Sequence, residues 1–75
     1  MTHILHKNVH MAASALLADL PVEQFKVGMD ISPREYFILV KMRPEASNAD
    51  RDLATERLRG FIKTPLRYPT TFSVR

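Results

Sequence analysis

Glu35-Tyr36-Phe37-Ile38-Leu39-Val40-Lys41-Met42-Arg43 is the stretch that decides how this chain folds. Successive side chains of a strand point to opposite faces. Tyr36, Ile38, Val40 and Met42 therefore share one face, and Phe37, Leu39, Lys41 and Arg43 share the other. The first set is apolar throughout, whereas the second begins apolar and ends basic. This pattern predicts a central strand with one face on a core and the other only partly covered, available to a partner. Because Tyr36 through Val40 are all apolar, the inverse parity also satisfies the pattern, with Phe37 and Leu39 inward and Tyr36 and Ile38 outward.

Upstream, Phe25, Val27, Met29 and Ile31 alternate with Gln24, Lys26, Gly28 and Asp30, which predicts a half-buried strand over Val22–Ile31. The short Ser32-Pro33-Arg34 connection should pair it with Glu35–Arg43 as an antiparallel hairpin. Further upstream, Val9, Ala12, Ala13, Leu16 and Leu20 recur at helical spacing, with Leu17 beside them, and Pro21 should end that helix. Downstream, Pro44 stops the central strand, and Ser47 and Asp50 have the spacing of a capping box. The second helix should run through Leu53, Ala54, Leu58 and Phe61, with Gly60 placed to end it in a left-handed conformation and Pro65 as its limit. Thr70–Arg75, rich in β-branched and aromatic residues, should form a last strand.

The predicted fold is α+β: a two-layer sandwich with two helices on one face of an antiparallel sheet, in the order helix–strand–strand–helix–strand. If Thr2–Lys7 adds a leading strand, the order becomes βαββαβ, which is ferredoxin-like. The alternative makes those residues part of the first helix. The predicted core is Leu16, Leu20, Phe25, Val27, Ile38, Val40, Leu58, Phe61 and Phe72.

Seventy-five residues make one domain, 1–75, and so short a chain buries only about 60% of its unfolded surface. The absence of cysteine excludes a disulfide framework and thiolate metal sites, and a cytoplasmic location is the expectation. No apolar run reaches membrane-spanning length, so no membrane partner is expected. With 45% apolar and 25% charged residues the chain should be globular. Charge is uneven: residues 1–40 carry net −1 and residues 41–75 net +4. A basic C-terminal half favours an anionic partner.

His3, His6 and His10 would share one face of a helix and could there hold Zn²⁺ or Ni²⁺. A strand over Thr2–Lys7 would send His3 and His6 to opposite faces, and no cysteine or nearby carboxylate completes the set. Solvated histidines and no bound metal are therefore the expectation. No nucleophile elbow or phosphate-cradling glycine loop occurs, and the glycines are only Gly28 and Gly60. Asp50, Asp52 and Glu56 should complement the second helix's dipole and pair with Arg51, Arg57 and Arg59. Arg57, Arg59, Lys63 and Arg67 should form a solvated face. Neither catalytic residues nor a cofactor is expected.

The expected partner-binding residues are Phe37, Leu39, Lys41, Arg43, Lys26 and Arg75, on a sheet face shared with Gln24, Asp30, Thr71 and Ser73. An apolar patch with a basic rim suits a protein target. Nucleic acid is the alternative, weakened by the single aromatic, Phe37, where base-stacking sheets use two or three. A homodimer through the open face or an edge strand is a further expectation. The small size and lack of catalytic motifs suit an inhibitor or adaptor, such as phages and plasmids carry against bacterial complexes.

Overall fold

A computed structural model describes residues 6–32, 34–66 and 68–75. Among them run α1 (His6–Leu16), β1 (Val22–Ile31), β2 (Arg34–Met42), α2 (Asn48–Phe61) and β3 (Thr70–Val74). The sheet order is β1-β2-β3, so the stretch from Glu35 is the central strand. β1 and β2 form the antiparallel hairpin, pairing Phe25 with Val40, Val27 with Ile38 and Met29 with Tyr36.

Both helices cover one sheet face, giving the α+β sandwich. Its core joins Tyr36, Ile38, Val40 and Met42 of β2 to Val9, Ala13 and Leu17 on the α1 side and Ala54, Leu58 and Phe61 of α2. The parity of β2 is thereby settled, with Tyr36 and Ile38 inward. Phe25, Val27, Leu20 and Phe72 are partly buried against this cluster.

The sheet is mixed, where an antiparallel one was expected. β3 pairs parallel to β2, from Tyr36 opposite Thr70 to Val40 opposite Val74. The reason is the connection: α2 carries the chain back across the sheet before β3 begins, and a crossover delivers a parallel strand. The two parallel strands are direct neighbours, whereas the ferredoxin-like arrangement splits such a pair with another strand. Residues 2–5 of the expected leading strand lie outside the described residues, and His6 and Lys7 belong to α1.

The first helix ends at Leu16, four residues before the predicted end at Leu20. Short-range bonds from Leu17 N–H to Ser14 O and from Leu20 N–H to Leu17 O tighten the chain instead. The buried stripe is Val9, Ala13 and Leu17, while Leu16, expected in the core, is 36% exposed. An i, i+4, i+8 stripe with small Ala13 in its middle seats the helix against the sheet. Leu16 stands one helical step, about 100°, away from Leu17.

Arg57 accounts for the early stop. It was expected on a solvated face, but its guanidinium reaches from α2 to Leu16 O at 2.7 Å and to the Asp19 carboxylate at 2.5 Å and 3.2 Å. An orphan carbonyl at the end of α1 is thereby satisfied by the neighbouring helix. The Arg57 hydrogen bond, followed by Asp19's own backbone N–H, holds the Asp19 pKa below its ordinary 3.8. A lowered carboxylate pKa stabilises the fold above the unfolded value, and that stability is lost as pH falls through the folded one. Asp19→Asn should therefore melt below the parent at pH 7, with the two curves converging in acid. A gap that persists at low pH would show that the Asp19 charge contributes nothing.

The second helix starts as the sequence predicts. Ser47 Oγ accepts from the Asp50 N–H at 3.1 Å, and Asp50 Oδ2 accepts from the Ser47 N–H at 3.1 Å, completing the capping box. Its end differs from expectation: Gly60 lies inside the helix, and Ile62 caps it in the right-handed region. Nothing stands within 4 Å of where a Cβ on Gly60 would project, so this glycine is not required for close packing. Arg59 pairs with Glu56 at 2.7 Å, one of the intrahelical pairs expected from the charge spacing.

Candidate partner-binding face

The sheet register turns the outer face into an ordered grid. Asp30 opposes Glu35 at one end, and Gly28, Phe37 and Thr71 form the next row. Lys26, Leu39 and Ser73 follow, then Gln24 and Lys41. Arg75 continues beside Lys41, because its N–H donates to Val40 O at 2.9 Å and its carbonyl accepts from the Met42 N–H at 2.7 Å. The face thus runs from acidic, through apolar, to basic within about seven strand residues, about 20 Å.

At the basic end lies a depression of about 330 Å³, where Leu39 is flanked by Lys26, Lys41, Arg75, Gln24 and Ser73. Four of the six residues proposed from sequence therefore converge: Lys26, Leu39, Lys41 and Arg75. Leu39 is 40% exposed although it sits in the central strand, because among the described residues no layer covers this side. Arg43 is exposed just past the end of β2, where its N–H donates to Pro21 O at 2.9 Å, and it does not line the depression.

Phe37 is half-buried, for a reason that its own strand does not supply. Its ring lies across Gly28, so close that a Cβ at residue 28 would overlap the ring atoms Cζ, Cε1 and Cε2. The glycine leaves its backbone bare, and the cross-strand aromatic covers it. Gly28→Ala should thus destabilise the parent but not a Phe37→Ala background, with a coupling of about 1 kcal/mol in denaturant unfolding. Equal effects in both backgrounds would mean that the ring and the glycine do not depend on each other.

Sequence reasoning missed Glu23 as well. The register slips between Val22 and Gln24, so Glu23 is the extra residue of a β-bulge. The bulge lets Val22 pair with Met42 on the core face while Gln24 stays beside Lys41 on the open face. Glu23 pairs with Lys41 at 3.1 Å, with both side chains well exposed, so the pair adds little stability but tempers the basic end. The one available signal was that Val22 breaks the parity of Phe25, Val27 and Met29.

Of the histidine set, His3 lies outside the described residues and His6 falls in α1. The His10 ring packs edge-on against Phe25, with centroids 5.1 Å apart and planes at 82°. Among the described residues no three metal-ligating side chains come together. None of their helices is long and apolar enough to cross a membrane. A scan against protein-family models, a search of the curated proteins and a search of the solved structures each return no match to this chain.

Proposed function

We propose that this chain is a non-catalytic binding module of the inhibitor or adaptor type, docking a partner protein on its open sheet face. The supporting observation is the grid itself: Phe37 and Leu39 form an apolar centre, bordered by the basic depression of Lys26, Lys41 and Arg75. An apolar centre inside a polar rim is how protein interfaces are built, and a basic rim selects an acidic surface opposite it. Nucleic acid is less well served, because one face of the Phe37 ring is already spent on Gly28.

Capture from a lysate with and without nuclease, followed by titration of the purified partner, tests this reading. The parent should retain a protein through nuclease treatment. Leu39→Ala should weaken binding about fivefold, the loss expected of a contributing contact residue. Lys41→Glu with Arg75→Glu should act mainly on the association rate. Capture abolished by nuclease, with affinity falling steeply with salt, would overturn the reading in favour of nucleic acid. Unchanged binding by both variants would remove the site from this face.

A further inference from the structure

β1 lies at an edge of the sheet, and among the described residues no strand covers its outer side. The groups it presents there follow from the pairing of β2. Tyr36 N–H donates to Pro69 O at 2.8 Å, and Met42 N–H donates to Arg75 O at 2.7 Å. The even-numbered residues of β2 thus direct their backbone groups to β3. Because successive residues alternate, Phe37 and Leu39 direct theirs to Gly28 and Lys26 of β1. Phe25, Val27, Met29 and Ile31 are left with N–H and C=O groups aimed away from the sheet. Two of their side chains are also uncovered: Ile31 is 83% exposed and Met29 37%.

Sheet edges are ordinarily protected by prolines, bulges or like charges. The bulge at Glu23 guards one end of β1, but Phe25–Ile31 has no bulge and no proline. Its two charges, Lys26 and Asp30, are of opposite sign and stand symmetrically about Gly28. A second antiparallel copy of the same strand, centred on Gly28, would set Lys26 opposite Asp30 twice. It would also set Val27 opposite Met29 and Phe25 opposite Ile31. The odd-numbered residues that carry the outward backbone groups would then meet one another, and both helix layers would stay on the same side. Moving the two-fold centre to Val27 would break this match, placing Asp30 opposite Gln24 and Glu23 opposite Ile31.

We propose that β1 is a homodimer interface, in which Phe25–Ile31 of two copies pair antiparallel about Gly28 into one six-stranded sheet. This inference is independent of the partner reading above. An isologous contact of this kind closes on itself, so it ends at two copies. It covers Ile31 and Met29, and it brings Ile31 beside Phe25 at a groove of about 250 Å³ lined by α1, the turn after it and β1. The open faces remain free and become continuous across the axis.

The full 75-residue chain, followed by sedimentation equilibrium, tests this. The parent should associate reversibly to twice its 8.6 kDa mass. Lys26→Glu and Asp30→Lys are exposed substitutions that leave the core alone. Each alone should weaken dimerisation about tenfold, because two cross-strand pairs change from opposite to like charge. Combining both changes in one chain should restore it, and an equimolar mixture of the two single variants should form a heterodimer. A parent that stays monomeric to about 100 μM, far weaker than micromolar association, would overturn the proposal. So would a dimer that ignores both charge reversals, or one that Leu39→Ala disrupts instead.

Discussion

Ile38→Ala should lower stability by about 2–5 kcal/mol, the cost of deleting a fully buried aliphatic side chain and leaving part of its volume empty. Ile38 is 0% exposed. It lies in the central strand between Val27 of β1 and Phe72 of β3, under the helix layer. A domain of this size holds roughly 4–11 kcal/mol in total, so the loss is a large fraction of the margin. At about 4–8 °C per kcal/mol the midpoint should fall by about 8–40 °C. Leu39→Ala, one residue along but on the open face, should cost less than about 1 kcal/mol. Thermal melts of the two variants side by side read the parity of β2 directly. Similar losses from both would mean that the strand is buried on both faces.

Leu17→Ala should cost about 2–5 kcal/mol, while Leu16→Ala should cost less than about 1 kcal/mol. The two leucines are neighbours of identical chemistry, and only the seating of α1 separates them: Leu17 is 3% exposed and Leu16 36%. Denaturant unfolding with a common slope gives the comparison cleanly, because a changed midpoint at unchanged slope reports stability alone. The reverse order of effects would mean that α1 is rotated by about one residue step, and the Arg57 bridge to Leu16 O would then need another geometry.

The local elements of this protein are legible in its sequence because each rests on a short-range rule. Alternation marked β1 and β2, Ser47 and Asp50 marked the start of α2, and Pro44 marked the end of β2. The same alternation grouped Phe37, Leu39 and Lys41, since parity in a strand needs only the residue number. Both parities fitted the apolar run, however, and the docking of the helices on Tyr36, Ile38 and Val40 decided that this group faces outward beside Lys26 and Arg75. Tertiary structure decided whatever depended on a partner distant in sequence. Arg57, 38 residues beyond Asp19, set where α1 stops. The choice between Leu16 and Leu17 followed from docking on β2, which helical spacing cannot rank because both leucines lie near the same broad face. The parallel pairing of β3 came from where the α2 crossover returns the chain, and no residue of Thr70–Val74 encodes strand direction. The packing of Phe37 on Gly28 and the bulge at Glu23 likewise required the β1–β2 register, because a lone glycine or an out-of-phase valine acquires meaning only from the residue opposite it.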